Sequence, residues 1–293
     1  MQKDTVSHVC EGLEKGLKYE FNSGRKDHVI FFSRGIGSVL SRFIEESYYN
    51  TDVMVLEETD GRMPGWLDET WAAVVICAGG RPSPVDCDKL RSTGAEVFSL
   101  SDEPERFGGK GVKISHDYSV GEVVGAAAVL MKGFGHPQLY DGLTRLMGPL
   151  RSYCLDIAEN QDVASMAKDL KGRIPAMYTT SETYSTARYW ECMFLKKCGI
   201  KGYSATFPEF NHNQIMGWAD ETARDSECKL IILRVESDDL KIDDLVDCTI
   251  QVLTENRIPL TVVSFMNKDM LLNRMEALAF GDTLLAYLEG GAR

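Results

Sequence analysis

The residues best suited to chemistry lie in three short runs rich in turn formers. In FPEFNHNQIMGW, Phe207 to Trp218, one imidazole, His212, stands between the amides of Asn211 and Asn213, with Glu209 three residues earlier. Clustered Asn and Pro make turns, so this imidazole is expected on an exposed loop, where it can exchange a proton near neutral pH. Two further runs pair an arginine with small residues. FFSRGIGS carries Ser33, Arg34 and Gly35, and CAGGRPSPVD carries Gly80, Arg81 and Ser83. Small residues let backbone N–H groups close on an anion, and a guanidinium fits phosphate oxygens two at a time. Two readings stay open for the arginines: a rebuilt anion site, or two solvated side chains in an acidic protein. A fourth run, TTSETYST from Thr179 to Thr186, is read as a helix cap, with Thr179 and Glu182 as a capping box.

These runs sit between apolar segments that would position them. At 293 residues the chain suits two domains. The first half reads as strands at His28–Phe32, Val53–Leu56, Trp71–Ala78 and EVFSL, with helices around Gly37–Glu46 and Val120–Lys132, and Gly94 closing a helix in KLRSTG. Short apolar runs bounded by Gly, Pro and Asp are those of buried parallel strands, and the 3.6-residue periods between them are those of covering helices. The second half repeats the order: strands IPAMYTT, CKLIILRV and PLTVVSF alternate with helices over SETYSTARYWECMFLKKCG, DDLKIDDLVDCTIQVLTEN and Met270–Glu289. The expected class is α/β, with two doubly wound parallel-sheet domains, 1–148 and 149–293, joined through HPQLYDGLTRLMGPL.

Composition removes several classes of function. A formal charge of −12 repels nucleic acid and anionic membranes, so neither is an expected partner. No run reaches the roughly 18 apolar residues of a membrane span, and the first residues lack the apolar core of a signal peptide. A cytoplasmic protein is therefore expected, with its eight scattered cysteines as buried free thiols. His8, His28, His116 and His136 show no metal-ligand spacing, so neither a metal nor a cofactor is implied.

The stretch YWECMFLKKCGIKGYSATFPEFNHN resembles the second half of the bifunctional phosphoglucose/phosphomannose isomerases of the sugar isomerase (SIS) family. The resemblance implies two SIS-type domains, a homodimer, and a phosphorylated sugar as ligand. It matches His212 to the histidine that opens the sugar ring from the neighbouring subunit. The family's base is a glutamate sixteen residues earlier, and here that position is Lys196. An enediol isomerisation needs a carboxylate poised near neutrality, whereas a lysine is protonated at pH 7 unless deeply buried. Glu191 is turned about 140° away on the same helix, and Glu182 lies about 21 Å along it. Glu209 remains as a nearby carboxylate, although the family does not use it as the base.

The phosphate loops depart as well. Arg34 takes the place of the family's phosphate-binding serine, and Cys77, Gly79, Arg81 and Pro82 replace a hydroxyl-rich run. The family's arginine at the head of the first half's last helix has no counterpart in SHDYSVGEVV, and its C-terminal threonine and lysine have none before GGAR. Three readings follow: a sugar-phosphate-binding protein whose isomerase chemistry is lost or altered, an active aldose–ketose isomerase, or a dimeric interaction protein without ligand.

Overall fold

The computed structural model describes residues 8–79, 81–219, 227–236 and 239–290. Two compact units divide between Arg151 and Ser152. The first holds five parallel strands: β1 (His28–Phe32), β2 (Met54–Glu58), β3 (Trp71–Cys77), β4 (Glu96–Ser101) and β5 (Gly111–Lys113). Their order across the sheet is β2-β1-β3-β4-β5. The register sets His28 beside both Met54 and Trp71. Every residue of β3 is buried, as its unbroken apolar run WAAVVIC requires of a central strand covered on both faces.

Helices α1 (His8–Gly16), α2 (Ile36–Tyr48), α3 (Cys87–Ser92) and α4 (Val120–Gly133) accompany this sheet. Asp86 caps α3 by accepting from the N–H groups of Asp88 and Lys89. Past its end, Gly94 adopts φ +91°, as expected of a closing glycine. Helices α1 and α4 touch backbone to backbone. A β-carbon on Gly121 would stand 1.9 Å from the Val9 carbonyl oxygen, and one on Gly16 would stand 2.3 Å from that of Glu122.

The second unit is a parallel sheet of four strands, β6 (Ile174–Thr179), β7 (Tyr203–Thr206), β8 (Cys228–Val235) and β9 (Leu260–Phe265), ordered β7-β6-β8-β9. Helix α5 (Gln138–Ala158) spans the division between the units and takes in most of the expected linker; α6 (Gln161–Leu170) and α7 (Tyr184–Cys198) follow. Two short helices come next, α8 (Glu209–Asn213) and α9 (Ile215–Ala219), then α10 (Leu240–Glu255) and α11 (Met270–Gly290). Helix α7 is anchored on α11 by Trp190, whose Nε1 donates to the Ala277 carbonyl at 2.9 Å and whose ring stacks on Phe280. Gly281 leaves the space for that indole.

Two local expectations are corrected. The run Phe207–Trp218 is not an open loop. Phe207, Phe210 and Trp218 are buried under β6, and this anchoring folds the chain into α8 and α9. The capping box at Thr179 is also absent. A 3-10 turn over Ser181–Thr183 precedes α7, and the Thr179 hydroxyl instead meets Thr183 Oγ1 at 2.5 Å and the Leu233 carbonyl at 3.2 Å.

Candidate anion site

The strand order of the first unit reverses direction between β1 and β3. In open parallel sheets, ligands bind outside the carboxyl ends of the strands at such a switch point, because the two following connections part there. The loops at this place are Ser33–Gly35 after β1 and the segment from Ala78 after β3, where Gly80 lies outside the described residues. Arg34, Gly37, Ile76, Cys77, Ala78, Arg81, Pro82, Pro84 and Tyr118 line one pocket there, about 30 Å³ in volume.

Both guanidinium groups are exposed, and neither has an ion-pair partner among the described residues. Arg34 is held by the backbone: its Nη2 donates to the Asp60 carbonyl at 3.4 Å and passes over Gly61. A β-carbon on Gly61 would lie 2.6 Å from that nitrogen and 2.4 Å from the Pro84 carbonyl oxygen. Gly35 adopts φ +58° at the N-cap of α2, and a β-carbon there would stand 3.8 Å from Arg81 Nη1. The start of α2 adds the positive end of a helix dipole and has no acidic residue in its first turn. The thiol of Cys77 donates to the Arg81 carbonyl at 3.2 Å, and burial pushes its pKa up. Burial also raises the Tyr118 phenol, against the pull of Arg81. Both groups are therefore neutral at pH 7, and the pocket's charge comes from its arginines.

The small hydroxyls read as ligand contacts have other partners. Ser33 is fully buried and shares a 2.8 Å bond with Ser41. The Ser83 hydroxyl donates to the Val85 carbonyl at 2.6 Å and lies 3.4 Å from Cys87 Sγ. Neither serine lines the pocket.

In the second unit, Lys196 is exposed in the last turn of α7, where a cation complements the helix dipole. Glu191 receives Arg188 and the Ser204 hydroxyl, both at 2.6 Å, and is occupied structurally. Glu209 and His212 are exposed on α8, three residues apart and so on neighbouring positions of one helix face. Asn211 turns inward, its Nδ2 donating to Thr249 Oγ1 at 2.6 Å while its Oδ1 is buried without a partner among the described residues. One oxygen of Glu182, Oε2, is likewise buried and unbonded at the carboxyl end of β6. Among the described residues, no group of three or more His, Cys, Asp or Glu side chains is placed to hold a metal. No described helix is long and apolar enough to cross a membrane.

Residues 159–290 match the family of bacterial phospho-glucose isomerase C-terminal SIS domains. Over 273 residues the chain is 23% identical to the bifunctional phosphoglucose/phosphomannose isomerase of Aquifex aeolicus, covering 86% of this chain and 82% of that protein. The bifunctional isomerase of Thermoplasma volcanium is 21% identical over 277 residues, covering 92% and 86% respectively. The chain resembles the bifunctional phosphoglucose/phosphomannose isomerases, and its second half resembles their SIS domain. Its fold is shared by a candidate phosphosugar isomerase from Bacillus subtilis, at TM-score 0.66 and 15% identity over 98% of this chain and 94% of that one. The resemblance and the two-domain α/β fold expected from the sequence are thereby borne out.

Sequence reasoning overlooked three residues at the sheet edge. Tyr118 lines the pocket, and Asp102 and His116 form a 2.7 Å pair beside it. No local pattern announces that pair, since its members leave different strands and meet only through the β3-β4-β5 order.

Proposed function

We propose that this protein binds a phosphorylated sugar through the switch-point pocket of its first unit, with Arg34 and Arg81 gripping the phosphate. One observation carries the reading: two arginines without ion-pair partners among the described residues, from loops after neighbouring strands, line one pocket in a chain of net charge −12. Two guanidinium groups lining one pocket repel each other, and a dianion offsets that repulsion while taking their paired donors. The resemblance to phosphosugar enzymes supplies the class of ligand and implies a homodimer; the cytoplasm is its expected location from the sequence.

The isomerase chemistry of the relatives is read as lost or altered. Lys196 stands in solvent at the position where the resemblance places the base, and an exposed ammonium does not abstract a carbon-bound proton at pH 7. Glu209 and His212, exposed on α8, are the acid–base pair available if turnover persists.

Calorimetry and thermal shift with hexose and pentose phosphates beside their unphosphorylated sugars test the reading. A ligand at a hundred times its Kd raises stability by about 2.7 kcal/mol. Phosphorylated sugars should bind, their parent sugars should not, and Arg34→Ala or Arg81→Ala should weaken binding by about tenfold or more. Equal affinity for sugar and sugar phosphate would remove the proposal. A coupled assay for fructose 6-phosphate formation, abolished by His212→Ala, would instead restore the active-isomerase reading. Sedimentation at micromolar concentration checks the dimer.

A further inference from the structure

Beside the arginine pocket, Asp102 follows β4 and receives two donors on one carboxylate oxygen: the Gly79 N–H at 3.1 Å and His116 Nδ1 at 2.7 Å. Burial pushes the Asp102 carboxyl up, but the bonds from His116 and the Gly79 N–H more than offset this and hold it below the ordinary carboxylate range. Its charge is therefore permanent near neutrality. The His116 side chain is 67% exposed, against 12% for Asp102. With Nδ1 committed to the carboxylate, Nε2 is the ring nitrogen left to meet a ligand, and a ring held at one end presents the other in a fixed direction.

The pair adjoins the pocket on two sides. Gly79 directly follows the lining residue Ala78, and Tyr118, two positions beyond His116, is itself a lining residue. Asp102 and Arg81 both act electrostatically on the Tyr118 phenol. This arrangement puts a fixed negative charge next to a site that would hold a dianion. A neutral imidazole leaves that charge standing, and an imidazolium cancels it.

We propose that His116, fixed by Asp102, is a switchable third arm of the pocket, whose protonated Nε2 turns it into a receptor for dianionic phosphomonoesters. The proposal rests on the anion reading of Arg34 and Arg81 and adds a pH-dependent preference to it. Imidazole is the side chain whose unperturbed charge change falls between pH 5 and 8. Arg81 comes from the loop after β3, and Arg106, from the turn after β4, is paired with Glu103 at 3.3 Å and donates to the Arg81 carbonyl. Lys113 on β5 and Asp117 on His116's own segment are both exposed. Cys77 and Tyr118 stay neutral within it, both pushed upward by burial.

Sulfate tests this, because it keeps its double charge over the whole interval. Its affinity, measured by calorimetry at constant ionic strength, should fall about tenfold between pH 5.5 and pH 8, and less than twofold in His116→Gln. By the same linkage, saturating sulfate should raise the His116 imidazole titration in proton NMR by about one pH unit, with the His116→Gln spectrum assigning the resonance. Sulfate that binds with the same pH slope in both proteins, or that leaves the imidazole titration unmoved, would overturn the third arm while the arginine site stands. Failure of sulfate to bind at either pH, with Arg34→Ala and Arg81→Ala indistinguishable from the unaltered protein, would overturn both.

Discussion

Arg34 and Arg81 leave neighbouring strands of one sheet, β1 and β3, and line the same pocket. What brings them together is topology, not sequence proximity: forty-seven positions separate them, while the parallel pairing of His28–Phe32 with Trp71–Val75 aligns the strand ends. The geometry of each guanidinium then matters more than its charge. A planar fork meets two phosphate oxygens at once, and a lysine ammonium offers only a point charge. Arg81→Lys should keep the charge yet weaken phosphate binding about tenfold, equivalent to about 1.4 kcal/mol. Calorimetry with one phosphorylated sugar checks it; unchanged affinity would mean that charge alone serves.

Gly61 controls the placement of Arg34. It adopts φ +73°, where a side chain is strained, and a β-carbon would intrude on both Arg34 Nη2 and the Pro84 carbonyl. Because Pro84 also belongs to the pocket, Gly61→Ala should displace two parts of its wall. The expected result is a stability loss of about 1–2 kcal/mol and a loss of anion affinity of about tenfold. Urea unfolding and sulfate calorimetry on the same variant separate the two effects.

The sheets were legible in the sequence wherever burial on both faces forced continuous apolar runs, as in Val29–Phe32, the whole of β3 and Leu230–Leu233. Strands β5 and β7 were not. GVK is three residues long and YSAT is nowhere fully buried, so neither contrasts with a loop. The run around His212 misled because its Asn and Pro residues suit a turn, whereas Phe207, Phe210 and Trp218 decide the outcome by anchoring it. At the candidate site, Arg34 and Arg81 could be picked out because each lies in a short loop of small residues after an apolar strand. The Asp102–His116 pair could not, since fourteen positions and a strand separate its members.

The close approach of α1 and α4 makes a steric prediction. Gly121 faces the Val9 carbonyl and the Leu13 N–H, and both are backbone atoms that cannot rotate out of the way. Adding one methyl group with Gly121→Ala must push the helices apart along their contact. A gain in helix propensity of about 1 kcal/mol would be expected in isolation. Overpacking opposes it with about 3 kcal/mol, so the variant should be destabilised by about 2 kcal/mol net. A midpoint in urea at or above that of the unaltered protein would contradict the observed contact.

Glu122, the next residue in the same interface, ties pH to stability. Its side chain is 4% exposed and accepts from Tyr19 Oη at 2.5 Å and from the Ser115 N–H at 2.8 Å, with Lys15 Nζ at 3.3 Å. Burial pushes the Glu122 carboxyl up, but these donors outweigh it and hold the group below its ordinary value of 4.5. Burial, reinforced by this carboxylate, drives the Tyr19 phenol up to about 12, so it remains a donor throughout. A carboxyl depressed on folding binds more protons unfolded than folded in the interval between the two values. Its contribution is therefore complete above pH 4.5 and is lost as pH falls through the lower, folded value. Glu122→Gln keeps the shape but presents an amide to donors, and should cost about 1–3 kcal/mol at pH 7. The difference between the two proteins should narrow steadily below pH 4.5, as the native carboxylate takes up its proton. Chemical denaturation from pH 7 down to pH 3 reads both quantities. A constant difference across that range would show that Glu122 acts through shape alone.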